Sequence, residues 1–230
     1  MAHLKRSRNE QCPVVEFTDT TKLTRKKEEF LQNCTNKQRI ILAIGEKLSS
    51  AGCSVQHASA DADVLIATTA IHNARTQLTC LIGNDTDLLI LLLYHVTATH
   101  KGLYFRSETK ASNEHKLWNI CSIKEKLRDM CGAILFLHAF LGRDTTSRLQ
   151  GIGKSVGLSL YRSDPSFREA AKVFTDSKAT KDELTVAGEQ ALFIIYEGKP
   201  EETLVSLRHR LFLAKLASSS AFVCPDRIPP

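Results

Sequence analysis

Long hydrophobic runs and patterned cysteines are both missing from this sequence of 230 residues. The longest apolar run, Leu88 to Tyr94, is far shorter than the roughly 20 residues that a membrane-spanning helix requires. The seven cysteines form no CxxC pair and no short Cys/His cluster, which argues against a disulfide framework or structural zinc and for reduced thiols in the cytosol or nucleus. No apolar stretch follows the basic N-terminus, so we expect no signal peptide.

Internal repeats and low-complexity segments are absent as well. The composition is that of an ordinary globular protein, long enough for one good-sized core. The charge balance is basic, with 31 Lys and Arg against 25 Asp and Glu and a net charge of +6. This balance fits a polyanionic partner such as nucleic acid but does not establish one, since many cytosolic proteins are mildly basic.

The hydrophobic pattern alternates between strands and helices in the first half of the chain and is helical after about residue 130. Strands are predicted at 53–57, 78–82, 103–106 and 117–120, and helices at 30–50, 61–74, 88–94, 122–130, 133–141, 166–174, 182–197 and 203–217. This order predicts an α/β fold, with a mostly parallel sheet, flanking helices and a helical C-terminal extension. We expect four segments: a basic, partly disordered arm at 1–29, the α/β core at 30–141, the helical extension at 142–217 and a frayed tail at 218–230.

Two aspartates follow the predicted strand at 78–82. Asp85 and Asp87 come after a break at Gly83, and an apolar helix follows them directly. Open α/β sheets place their sites at the carboxyl ends of strands, so this pair indicates a divalent metal site. The alternative is structural: Asp85 caps the helix, and Asp87 interacts favourably with the helix dipole.

Further acids occupy similar positions elsewhere. Asp61 and Asp63 open the preceding helix, and Asp144 follows the apolar helix at 133–141. In a parallel sheet these acids would collect along one edge, where five carboxylates repel one another strongly unless cations lie between them. We therefore predict a site for Mg²⁺ or Mn²⁺, in which two ions about 4 Å apart could clamp a phosphodiester and activate water.

A short glycine motif, formed by Gly151, Ile152, Gly153 and Lys154, follows seven residues after Asp144. Glycines let a backbone approach a phosphate closely, and the turn amides and the next helix N-terminus can bind it, with Lys154 adding charge. Such contacts position a nucleic-acid backbone without reading its sequence. Alone, the motif favours a plain turn between helices; behind a loop acid, it indicates phosphate binding.

Three motifs together resemble those of a known family. ADAD, IGNDTDLL and FLGRDTTSRLQGIGK are similar to the successive acidic motifs of the PIN-like nucleases of the flap endonuclease/XPG superfamily, over roughly residues 36 to 160. The chain is more similar still to divergent animal proteins, often associated with mobile elements, that carry DADVLI, DTDLL and FLHA-type motifs.

The resemblance implies functional residues. Asp61 and Asp63 match the family's first acidic pair, which is mostly Glu there, Asp85 and Asp87 match the second, and Asp144 matches the last ligand. Residues 151–154 match a DNA-backbone turn of the helix–hairpin–helix type. Family members bind two divalent ions and hydrolyse phosphodiesters in branched or flapped DNA.

Two family features have no counterpart here: an early strand that carries an Asp, and a later Asp-Gly ligand motif. We expect the chain to begin inside the family's fold, so that the second metal site survives and the first is crippled. The preferred hypothesis is a shortened PIN-like nuclease domain that acts on branched or single-stranded DNA. We expect DNA rather than RNA as the partner, and no membrane partner. We expect a nuclear rather than a cytoplasmic location. The alternatives are a non-catalytic nucleic-acid-binding or scaffold protein on the same fold, and a degenerate chain that does not fold stably.

His138, on an apolar helix, is interpreted as a core histidine without a role.

Overall fold

The computed structural model describes residues 12–18, 20–22, 24, 26–59, 61–97, 102–107, 116–142, 149 and 151–218. The chain divides into two compact units, Met1–Ala60 and Asp61–Pro230. None of the helices in the described ranges combines the length and the apolar character that a membrane crossing needs.

The described residues of the first unit form two helices where the sequence predicted one. Helix α1 spans Lys27–Gln32 and α2 spans Cys34–Ser50. The break falls at Asn33, because its side chain accepts hydrogen bonds from the backbone N–H groups of Thr35 and Asn36 and so starts a new helix. Helix α2 ends at Ser50, as predicted, and Gly52 follows it at a φ of +84°, which favours glycine.

The strand predicted at 53–57 is wrong. These residues form no strand and pair with none of the described strands; the backbone N–H of Cys53 instead donates a hydrogen bond to the carbonyl oxygen of Leu48 in α2. A short apolar run becomes a strand only where a neighbour completes its hydrogen bonds, and that information is not local.

The second unit holds three strands and eight helices among its described residues. In chain order they are α3 (Asp63–Ala74), β1 (Thr79–Ile82), α4 (Thr86–His95), β2 (Leu103–Ser107), β3 (Lys116–Asn119), α5 (Ile120–Leu127), α6 (Ile134–Phe140), α7 (Lys154–Ser163), α8 (Pro165–Val173), α9 (Lys181–Ile195) and α10 (Leu204–Ser218). A 3₁₀ turn at Arg128–Ala133 joins α5 to α6. The α/β class and the helical second half are confirmed, with bounds close to those predicted except for α7, for which the sequence analysis gave no range.

The sheet is mixed rather than mostly parallel. Its order is β1-β2-β3, with β1 and β2 parallel and β2 and β3 antiparallel. Helix α4 provides the crossover that a parallel pair needs, whereas only eight residues, 108 to 115, separate β2 from β3. A parallel return needs a dozen or more residues, so the short connection enforces the antiparallel pairing.

The described residues of this unit form two hydrophobic clusters. The first packs α3 and α4 against the sheet, around Leu81, Leu92 and Phe105. The second packs α6 with α8 and α9, around Phe136 and Phe167. The first cluster therefore fixes where the ends of β1, α3 and α4 meet. The bounds of the four predicted segments stay predictions.

Candidate metal centre

The turn from β1 into α4 presents Asp85 and Asp87. Asp85 is the N-cap of α4, and its Oδ1 accepts a hydrogen bond of 2.8 Å from the backbone N–H of Asp87. Gly83 keeps the turn tight, since a Cβ there would lie 2.9 Å from the Leu88 side chain. The predicted capping role of Asp85 is therefore confirmed, because its side chain caps α4.

The start of α3 repeats this local arrangement. Asp63 is the first residue of the helix, and its backbone N–H donates a 3.0 Å hydrogen bond to Oδ1 of Asp61. Since α3 packs beside both α4 and β1, the N-terminus of α3 comes next to the turn after β1. Two helix N-termini and one strand end thus converge.

Three carboxylates meet at this point. Asp63, Asp85 and Asp87 each offer one oxygen, and the three oxygens lie within 4.8 Å of one another. Asp85 is exposed, and the other two are half-buried. Like charges at this spacing repel, and the positive ends of α3 and α4 offset only part of that repulsion. Carboxylate oxygens at this spacing could hold a metal ion, which would relieve the rest.

A histidine from a distant part of the sequence joins the group. His138, in α6, places its Nε2 2.5 Å from Oδ1 of Asp87. The His138 side chain is 7 % exposed and that of Asp87 15 % exposed. An ionised carboxylate only accepts hydrogen bonds, so Nε2–H of His138 is the donor. The sequence interpretation of His138 as a core residue is confirmed, but its contact with Asp87 was missed.

One signal could have pointed to this contact. Buried polar side chains find hydrogen-bond partners, so a histidine on an apolar helix implies a polar group facing it. The rule says that a partner exists without saying which, because Asp87 lies 51 residues earlier in the chain.

The glycine motif forms the start of α7. Gly151 has a φ of +76°, which favours glycine, and Gly153 is the N-cap of the helix. Lys154 is the exposed first residue of α7. It lines a mostly apolar cavity of about 190 Å³ between α4, α6 and α7, and His138 lines the same cavity.

The structure thus brings together three of the five predicted acidic ligands. Asp61 is exposed and does not belong to the group, and Asp144 lies outside the described residues. Their assignment as ligands, like that of residues 151–154 to a nucleic-acid backbone, stays a prediction.

Comparisons with protein-family models, with curated proteins and with solved structures found no match to this chain. The geometry defines a mixed α/β protein whose three clustered carboxylates could hold a metal ion.

Proposed function

We propose that this chain is a metal-dependent phosphodiesterase with a PIN-like core that acts on branched or single-stranded DNA. The observation that carries the proposal is the convergence of Asp63, Asp85 and Asp87 at the end of β1. Each comes from an acidic motif that resembles those of the flap endonuclease/XPG superfamily.

In this proposal the three aspartates hold Mg²⁺ or Mn²⁺, both of which favour carboxylate oxygens. The bound ion would activate a water molecule and neutralise the leaving oxygen of the phosphodiester. Asp85 would bind the metal ion and cap α4 at the same time, since a carboxylate has two oxygens and the capping hydrogen bond engages only Oδ1.

The turn at 151–154 is proposed to bind the DNA backbone. Gly151 has a left-handed backbone, and the N-cap of α7, Gly153, makes no side-chain capping hydrogen bond to the first backbone N–H groups of the helix. Such amides attract phosphate oxygens, and the exposed Lys154 adds a positive charge. The net charge of +6 is consistent with this partner.

A second candidate function is non-catalytic binding of nucleic acid, as a scaffold derived from such a nuclease. The specific observation in its favour is that the acidic group contains only three carboxylates among the described residues. Three carboxylates suffice to bind one divalent ion, whereas members of the flap endonuclease/XPG superfamily bind two divalent ions.

The test is cleavage of a labelled 5′-flap duplex and of a single-stranded oligonucleotide, in Mg²⁺, in Mn²⁺ and in excess chelator. Asp85→Asn is the informative variant, because Asn caps helices as well as Asp does but is a poorer metal ligand. Asp164→Asn is the matched control, since Asp164 caps α8 by the same kind of hydrogen bond, from Phe167 N–H, outside the acidic group.

Metal-dependent cleavage that survives in Asp164→Asn and falls by at least about tenfold in Asp85→Asn would support the phosphodiesterase. Binding of both DNAs without cleavage in either metal would favour the scaffold. If the folded chain neither binds nor cleaves either DNA, both candidate functions are overturned.

A further inference from the structure

The contact between His138 and Asp87 ties the acidic group to a third helix. It joins α6 to α4 through a 2.5 Å hydrogen bond between two largely buried side chains. Asp85, by contrast, is exposed, and a backbone N–H within its own turn holds its Oδ1. The orientation of the Asp87 carboxylate therefore depends on a contact that reaches across the fold.

The constraint acts on the carboxylate itself. A carboxylate with one oxygen fixed by a donor can no longer turn freely about its Cβ–Cγ bond, so the direction of its second oxygen is also fixed. A cation site benefits because the ligand loses less freedom when the ion binds.

The imidazole itself is only 7 % exposed, and it lines the cavity of about 190 Å³ between α4, α6 and α7. The other ring nitrogen, Nδ1, is buried and has no hydrogen-bond partner among the residues that the structure describes. Nε2 is therefore the ring nitrogen through which the His138 side chain is hydrogen-bonded.

We propose that His138 is a positioning residue for the metal centre: through its Nε2–H it orients the Asp87 carboxylate toward the bound cation. This inference rests on the proposed metal site and adds a residue that the acidic motifs do not contain. A purely structural role would make His138 important for stability and irrelevant to metal affinity.

The experiment is a Mn²⁺ titration of the full chain followed by electron paramagnetic resonance, for the wild type, His138→Gln and His138→Leu. Gln keeps an N–H donor in a side chain of similar reach, whereas Leu fills the volume without a donor. We expect His138→Leu to weaken Mn²⁺ binding by about tenfold or more and His138→Gln to stay within about threefold of the wild type. Thermal melts in excess chelator establish that each variant is folded.

The outcomes separate this inference from the proposed function. If the wild type binds Mn²⁺ and the folded His138→Leu variant binds it equally well, the positioning role is overturned and the metal site stands. The positioning role is also overturned if His138→Gln binds Mn²⁺ as weakly as His138→Leu does. If the wild type itself does not bind Mn²⁺, the metal site is overturned, and the positioning role with it.

A second measurement covers the case in which His138→Leu does not fold. In the ¹⁵N-labelled wild type, diamagnetic Mg²⁺ should shift the Nε2 resonance of His138 and leave that of the exposed His209, in α10, unchanged. A His138 resonance that stays fixed while Mg²⁺ binds would contradict the proposal.

Discussion

The starts of α3 and α4 carry the same local motif and end up in different roles. In each, two aspartates flank one residue, and the first aspartate accepts a hydrogen bond from the backbone N–H of the second. Yet Asp85 belongs to the acidic group, whereas Asp61 does not. The second aspartates, Asp63 and Asp87, both belong to it.

The difference lies in what precedes each helix. Asp85 follows β1 after two residues, and its backbone is anchored where the strand ends. It is also the N-cap of α4, whereas Asp61 lies one residue outside the N-cap of α3, which is Ala62. The acidic group accordingly includes Asp85 and not Asp61. Asp85 therefore caps α4 and also lies in the acidic group, whereas Asp61 is neither the N-cap of α3 nor a member of that group.

The largest expected contrast is in metal affinity. Asp85→Asn should weaken Mn²⁺ binding by about tenfold or more, because an anionic ligand is lost, while Asp61→Asn should change it less than about twofold. Isothermal titration of the two variants and the wild type checks this. Equal losses at both positions would mean that Asp61 is also a ligand and that the two motifs are equivalent in solution.

Stability in the absence of metal gives the next contrast. Asp85→Ala should be about 1 kcal/mol less stable than Asp85→Asn, because both are uncharged but only Asn keeps the cap bond. The corresponding difference between Asp61→Ala and Asp61→Asn should be smaller, since Asp61 is not the N-cap. Urea unfolding in excess chelator measures both differences, and a larger difference at residue 61 would contradict the placement of Asp85 as an N-cap and of Asp61 outside one.

The local part of this comparison was predictable from the sequence. The strand that becomes β1, the helix that becomes α4 and the capping of α4 by Asp85, one of the two alternatives for that residue, follow from patterns within short segments. The grouping of Asp63 with Asp87 was expected from the sheet-edge argument, which also included Asp61 and did not predict its difference from Asp85. Alternating apolar runs and acids at their ends carry that information directly.

What could not be predicted depends on partners far apart in the sequence. The hydrogen bond from His138 to Asp87 requires α6 to pack against α4, and no local pattern specifies that packing. The absence of a strand at 53–57 likewise reflects a missing neighbour among the strands that the structure describes. The antiparallel β3 was within reach, since the connection from β2 is too short for a crossover.

The smallest expected effect concerns Glu202, a carboxylate that lies in neither helix start and therefore serves as a control for the variants at Asp61 and Asp85. Two hydrogen bonds from Arg210 and, next in importance, one from the backbone N–H of Lys199 lower the pKa of Glu202 from 4.5 to about 2. A folded-state pKa below the ordinary value means that the contribution to stability is complete above pH 4.5 and is lost as the pH falls toward 2. Glu202→Gln should therefore lower the melting temperature slightly at pH 7, progressively less below pH 4.5, and leave Mn²⁺ affinity unchanged. Melting curves from neutral pH down to about pH 2 test this, and a constant difference across that range would show that the loss is one of packing rather than of charge.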